Sequence, residues 1–333
     1  MKTLTITGYP GWLTTALLDD YKSGSAEFDR LVVLAHPSAE SAAKDALAAY
    51  SWPSSVVAFD LANPDGIADR LRGCDVLIHT AAVIHVRKTA DWYRVNAKGT
   101  IELAKAAKAA GVKRFVFVSS IAAAGKSPAN SDLVESDAPH PMHHYGRSKL
   151  IAERALLAMH EPGVFEVVIL RPSMFYGPPV PPRHVEIYKR ILHGRMPLIG
   201  GGNYRRSLVH VDNLVQAVRL AATVPQAAGQ TYFIVDRPVY TTYSVVEAMA
   251  EALGVKARYV RLPAVLAETA YQLDRGLSAL GLYVAPVHLV GESHWHQSAS
   301  CEKAIAELGY APNVELQQGM RGAIAWCRER GLI

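Results

Sequence analysis

Tyr145 and Lys149 stand four residues apart in Tyr145-Gly146-Arg147-Ser148-Lys149, about 25 residues past an apolar run that ends in Ser119-Ser120. On a helix this spacing places the phenol and the ammonium on one face, one turn apart. An ammonium beside a phenol favours the phenolate and draws its pKa down from about 10 toward neutrality. A phenol tuned in this way can pass a proton to or from a substrate oxygen, while a serine hydroxyl steadies the same oxygen. A Tyr–Lys pair at this spacing is common on exposed helices and usually inert, so its weight comes from what accompanies it.

The chain opens with Leu4-Thr5-Ile6-Thr7-Gly8-Tyr9-Pro10-Gly11-Trp12-Leu13, a short apolar strand running into glycines. Leu13, Ala16, Leu17 and Tyr21 then follow at helical spacing. Gly8 permits a tight turn, and Gly11 lets the backbone approach a pyrophosphate at the positive end of the helix. Thr14 occupies the position where a third small residue usually follows. Strand, glycines and helix in this order at the N-terminus predict dinucleotide binding.

These residues need a scaffold, and the rest of the chain supplies its pattern. Apolar runs at Leu31–Leu34, Val56–Phe59, Val76–Thr80, Arg114–Ser120 and Val167–Arg171 alternate with helical patterns, the clearest at Trp92–Ala110 and Ser148–His160. Continuous apolar strands separated by helices imply a parallel sheet covered on both faces. The expected fold is α/β: a doubly wound parallel Rossmann sheet with a smaller C-terminal α/β substrate lobe. After Arg171-Pro172 a proline-rich passage begins, while Ser207–Ala222 and Thr231–Val235 resume regular pattern and return the chain to the main sheet. The expected domains are 1–171 plus about 206–236 for the nucleotide-binding part, and about 172–205 plus 237–333 for the lobe. Leu262, Val265, Leu266, Thr269, Leu273, Leu277 and Leu280 line one face of the helix expected at Pro263–Leu280, and that stripe is expected to be core.

Bulk composition excludes several classes. The chain has 333 residues, of which 50% are hydrophobic and 20% charged, the balance of a soluble globular protein. No apolar stretch reaches the roughly 20 residues needed to span a membrane. The N-terminus is expected to enter a strand at once, so no signal peptide is expected. Cys74, Cys301 and Cys327 are widely spaced and lack metal-ligand spacing, which points to reduced thiols and a cytoplasmic location. The net charge of +5 is dispersed rather than striped, so a nucleic-acid face is not expected.

With both signatures placed, the chain resembles the extended short-chain dehydrogenase/reductases, within the NAD(P)-dependent epimerase/dehydratase group and its 3β-hydroxysteroid-dehydrogenase-like branch. The likeness covers Thr7 to Leu13, Asp60-Leu61, His79-Thr80-Ala81-Ala82, Asn96 to Thr100, Ser119-Ser120, Tyr145 to Lys149, Leu170-Arg171-Pro172 and His210-Val211-Asp212-Asn213. The resemblance implies that Tyr145 is the acid/base, that Lys149 lowers its pKa and holds the nicotinamide ribose, and that Ser120 bonds the reacting oxygen. Ser120 is preferred to Ser119 because it lies five residues before Gly125, the family's usual interval. The implied cofactor contacts are Thr7, Gly8, Tyr9, Pro10, Gly11, Trp12, Leu13, His36, Asp60, Leu61, Thr80, Ala81, Ala82, Asn96, Ser119, Tyr145, Lys149, Pro172 and Ser173. Asn96 is expected to brace the active-site backbone. Relatives of this kind often dimerise through the helices at Trp92–Ala110 and Tyr145–His160, which makes a homodimer the implied assembly.

Leu34-Ala35-His36 puts alanine where NAD-preferring relatives carry aspartate, so NADP(H) is favoured over NAD(H), with His36 and Lys44 near the 2′-phosphate position. Sugar-nucleotide 4,6-dehydratases place an acid–base pair where this chain has Ile121 and Ala122. Epimerases carry an asparagine where Met174 stands, although Arg206 keeps the second position of their diphosphate clamp. Ile121, Met174, Phe175 and Arg206 are the candidate substrate contacts, and a ketone or aldehyde is the expected substrate. A nucleotide-sugar epimerase is the alternative, and a non-catalytic NADP(H) redox sensor the third reading. The densest histidine groups, His140, His143 and His144 and then His294-Trp295-His296, show no recognisable zinc pattern, so no metal is assigned.

Overall fold

The structure, a computed structural model, describes residues 1–333. The first half alternates strand and helix: β1 (Thr3–Tyr9), α1 (Trp12–Tyr21), β2 (Arg30–Ala35), α2 (Glu40–Leu47), β3 (Ser54–Ala58), α3 (Ile67–Arg70), β4 (Val76–His79), α4 (Thr89–Trp92), α5 (Thr100–Ala109), β5 (Arg114–Val118), α6 (His144–Met159) and β6 (Glu166–Pro172). The second half holds β7 (Met174–Tyr176), α7 (Pro182–Leu192), β8 (Met196–Ile199), β9 (Arg205–Arg206), β10 (Leu208–His210), α8 (Val211–Thr223), β11 (Thr231–Ile234), β12 (Tyr240–Thr241), α9 (Thr242–Leu253) and β13 (Tyr259–Leu262). Four helices close the chain: α10 (Ala264–Ala279), α11 (Ala285–Glu292), α12 (Glu302–Leu308) and α13 (Leu316–Glu329).

Seven strands form one parallel sheet in the order β11-β6-β5-β4-β1-β2-β3. Its strands are largely apolar because each face has its own core. Leu4, Ile6, Val33, Val116 and Val118 point into one cluster with Leu17 of α1 and Leu214 of α8. Val32, Leu34, Phe115 and Phe117 alternate to the other face, against Leu103 of α5 and Leu156 of α6. Period-two alternation inside a continuous apolar run is how a doubly covered strand reads.

A third core belongs to the lobe, where Tyr188 of α7, Met249 of α9 and Ile324 of α13 meet. Three two-stranded pairs, β10–β7, β12–β9 and β13–β8, edge it. Ala299, Cys301, Ala304, Leu308 and Tyr310, which the sequence places in the lobe, pack instead in the first sheet core.

The helices around Thr89–Ala109 and Ala264–Ala279 differ from their sequence patterns. The Trp92–Ala110 helix begins earlier, at Thr89, and passes through a π-helical stretch at Tyr93–Gly99 before α5. A Cβ on Gly99 would come within 2.2 Å of the Leu61 carbonyl, so glycine lets this helix close on the loop after β3. On α10, Val265, Leu266, Leu273 and Leu280 are 47–77% exposed, and the expected core stripe faces outward. The buried face carries Ala267 and Asp274 instead. Amphipathic spacing states that a face wants a partner, and here no element covers it. No helix is long and apolar enough to cross a membrane.

Candidate active site

The first turn is built by the absence of side chains. Gly8 has φ of 101°, and a Cβ there would lie 2.3 Å from Thr80 Oγ1 and 2.8 Å from the Ala81 nitrogen. The Gly11 amide donates to the Gly8 carbonyl at 2.7 Å, and a Cβ on Gly11 would strike that same oxygen. Thr7 Oγ1 accepts from the Thr80 and Ala81 amides at 3.2 Å each, which locks β1 to the end of β4. Thr14 fits the third small-residue position by bonding: its hydroxyl reaches the Thr7 carbonyl at 3.3 Å and Thr80 Oγ1 at 2.6 Å. No side chain caps α1, so its first amides and its positive end are open to an anion.

The other expected cofactor positions divide into open and committed groups. His36 follows β2 directly, exposed, with Nδ1 turned onto Ser38. Asp60 Oδ1 accepts from the Ala62 amide at 2.9 Å, and Leu61 is buried. Asn96 pairs both ways with the Val83 backbone, at 2.8 and 2.9 Å, and so braces the loop that carries Ala81 and Ala82. Tyr9 donates to the Ala42 carbonyl, Pro10 is exposed, and Leu13 is core. The Ser119 hydroxyl is buried and donates to Glu153, so its side chain has no proton left to donate to a cofactor. Ser173, after Pro172 at the end of β6, has a buried hydroxyl with no partner, and Trp12 Nε1 is likewise orphaned. A tight glycine cradle, an uncapped helix start and orphaned donors at one edge of the sheet fit a phosphate-bearing dinucleotide.

The catalytic candidates sit where α6 meets the end of β5. Helix α6 begins at His144, ahead of the Ser148 start read from pattern, so Tyr145 lies in its first turn. A Cβ on Gly146 would lie 2.1 Å from the Ala122 carbonyl, and this close approach brings Tyr145 beside the Ser120 hydroxyl. Ser120 Oγ also accepts from the Ala122 amide at 3.2 Å. Lys149 Nζ donates to the Val118 carbonyl at 3.0 Å and lies 4.6 Å from the centre of the Phe117 ring. Burial lowers the lysine to about 7, against the pull of Glu153.

Burial pushes the Tyr145 phenol up to about 12, and Ser120 and then the Arg183 charge act against it. Arg183, in the first turn of α7, is therefore a further cation facing the phenol. Arg183 was missed because it lies in the proline-rich passage and shares no spacing with the Tyr–Lys motif.

The expected substrate contacts largely fail to gather. Ile121 is 3% exposed and packs in the sheet core, in a 3₁₀ turn. Phe175 is engaged edge-on by Trp12 at 5.8 Å. Met174 is open to solvent on β7. Arg206 donates to the Glu292 and Ser293 carbonyls at 3.0 and 3.1 Å, so its guanidinium holds the end of α11.

Residues 4–234 match the model of the NAD dependent epimerase/dehydratase family. Over 274 residues the chain is 30% identical to the 4-hydroxy-2-methyl-3-oxo-4-farnesyl-3,4-dihydroquinoline-1-oxide ketoreductase of Stigmatella aurantiaca, covering 78% of this chain and 79% of that protein. Over 192 residues it is 35% identical to the UDP-glucose 4-epimerase of Vibrio cholerae, covering 55% of this chain and 58% of that one. The solved structure of MoeE5 in complex with UDP-glucuronic acid and NAD superposes with a TM-score of 0.75 at 23% identity, over 98% of this chain and 99% of that one. Because the family match runs from β1 through β11 and takes in the whole parallel sheet with its glycine turn, the chain belongs to the NAD dependent epimerase/dehydratase family.

Proposed function

We propose that this protein is an NAD(P)H-dependent oxidoreductase that reversibly reduces a ketone or aldehyde, with Tyr145 as the acid/base. One observation carries the reading: the start of α6 sets Tyr145 beside Ser120, while Lys149, one turn on, is anchored to the carbonyl just before Ser119. The turn from Thr7 to Leu13, with Ala81, Ala82 and Ser173, would hold the dinucleotide, which when bound supplies or accepts the hydride. Tyr145 gives its phenolic proton to the substrate oxygen as the carbonyl becomes an alcohol, and takes it back in the reverse direction. Ser120 donates to the same oxygen and stabilises the charge that develops there. Lys149 orients the ribose side of the site.

The absence of a carboxylate at Ala35 and the exposed His36 support NADP(H) over NAD(H). Lys44 is a weaker contributor, since it pairs with Glu40 at 2.8 Å. The identity to a UDP-glucose 4-epimerase supports a second reading, epimerisation of a nucleotide sugar. Against it stand the solvent-facing Met174 at the clamp's asparagine position and the commitment of Arg206 to backbone carbonyls. The deciding experiment offers NADPH with a panel of ketones and aldehydes, and in parallel UDP-glucose or UDP-galactose with NAD. The proposal expects carbonyl-dependent loss of NADPH. Interconversion of the sugars without net cofactor consumption would establish the epimerase instead.

A further inference from the structure

Two histidines from distant parts of the chain meet behind the active site. His143, the N-cap residue of α6, and His288 of α11 have ring centroids 4.2 Å apart. Asp274 of α10, with its side chain 1% exposed, puts one oxygen, Oδ2, 3.3 Å from His143 Nδ1 and 3.0 Å from His288 Nδ1. On the other side Glu292 Oε1 lies 3.4 Å from His143 Nε2 and 3.4 Å from His288 Nε2. One carboxylate thus brackets both Nδ1 atoms, and another brackets both Nε2 atoms.

The donor count does not close. An ionised carboxylate only accepts, so His288 Nδ1–H donates to Asp274, the same oxygen faces His143 Nδ1 at 3.3 Å, and a neutral ring protonated at Nδ1 leaves Nε2 as a lone pair. Two lone pairs and Glu292 Oε1 converge within 4.8 Å of one another. The His143 side chain is 10% exposed, and its Nε2 has no hydrogen-bond partner. Arg206 is the other charge facing this group, and its Nη2 donates to the Glu292 and Ser293 carbonyls. Two carboxylates against one fixed cation leave room for further positive charge, as protons on the rings or as a metal ion.

Geometry separates the two. A charge-assisted N–H to carboxylate bond closes to about 2.7–2.9 Å. Ligand atoms around tetrahedral zinc, with bonds of about 2.0–2.2 Å, stand about 3.3–3.5 Å apart. Both Nε2 to Oε1 separations are 3.4 Å, which matches the second case. The carboxylate on both Nδ1 atoms is the outer partner that orients metal-bound imidazoles and raises their basicity.

We propose that His143 Nε2, His288 Nε2 and Glu292 Oε1 form a binding site for a divalent transition-metal ion, zinc by its ligand set, with Asp274 orienting both imidazoles and water filling the remaining position. Nitrogen ligands disfavour magnesium and calcium, which take oxygen. The sequence reading assigned no metal because it weighed only the two dense histidine groups. The pair that completes the site, His288 and Glu292, four apart on α11, lies in neither. The ion ties the α10–α11 hairpin to the residue two positions before Tyr145. From there contact runs from His288 to Tyr283 at 5.2 Å, to Trp92 at 4.7 Å and to Tyr145 at 6.4 Å.

The test uses untagged full-length protein, stripped with a chelator and titrated with Zn(II) and Co(II). Wild type is expected to take up one equivalent of zinc with sub-micromolar affinity, to melt at a higher temperature when loaded, and to give with Co(II) the visible absorption of a four-coordinate site. His288→Gln and Glu292→Gln are expected to abolish this uptake, and Asp274→Asn to weaken it about 10–100-fold. Circular dichroism reports whether each variant folds, and the wild-type titration does not depend on them. Wild-type uptake no tighter than that of folded His288→Gln, or no uptake by wild type, overturns the proposal and leaves the rings held by protons.

Discussion

Two buried charge clusters flank α6, and they differ in whether their hydrogen bonds close. In the first, Arg171 forks onto Glu153 with bonds of 2.7 to 3.2 Å, and the Ser119 hydroxyl occupies Glu153 Oε1 as well. None of these three residues is more than 7% exposed, and none has a fully buried polar side-chain atom without a partner. In the second, around Asp274, His143 Nε2 and Asp274 Oδ1 are buried and orphaned, while the Glu292 side chain opposite is 38% exposed. A closed network fixes position and has nothing left to offer a ligand. An open one at equal burial is either costly or waiting for a partner. The same contrast separates Ser119 from Ser120, adjacent residues of which only the second is free to meet Tyr145.

The largest effect should come from breaking the closed cluster. Arg171→Met leaves the Glu153 carboxylate buried and unpaired, and unfolding in urea is expected to show a loss of about 3–5 kcal/mol. Adding Glu153→Leu to that variant should recover much of the loss, and no recovery would show that the pair does more than neutralise itself.

A third buried carboxylate tests the comparison through pH. Asp236 accepts from the His210 amide and from Asn213 Nδ2, but burial dominates and raises it from 3.8 to about 6. A raised folded pKa contributes stability that is complete below about 3.8 and lost as pH rises through about 6. Relative to Asp236→Asn, the wild type should therefore lose on the order of 1–3 kcal/mol between pH 4 and pH 7. A difference in stability that stays constant with pH would contradict this. Gly8→Ala should cost on the order of 1–3 kcal/mol through its positive φ and the contact with Thr80, and should weaken dinucleotide binding measured by fluorescence. The smallest change is expected at the outward face of α10, where Leu273→Gln should alter stability by less than about 0.5 kcal/mol.

What the sequence disclosed follows the range of the interactions. The glycine turn and the parallel strands were legible because each is encoded within about ten contiguous residues. The Tyr145–Lys149 pair was legible because a helix translates spacing directly into a shared face. The leucine stripe of α10 misled because periodicity names a face without naming its neighbour. Ser119 and Ile121 show the limit of motif position, which does not reveal which hydroxyl donates inward or which side chain turns to the core. Arg183 and the meeting of His143 with Asp274, His288 and Glu292 depend on the lobe folding back onto α6, a long-range event with no local signature.

The central claim is that Tyr145 supplies the proton, and it is tested most directly by carbonyl-dependent NADPH oxidation in wild type, Ser120→Ala and Tyr145→Phe, with melting temperature and NADPH affinity measured on the same samples. Tyr145→Phe is predicted to lose about 10²–10⁴-fold in kcat with both controls unchanged. Turnover equal to wild type in that variant would contradict the account.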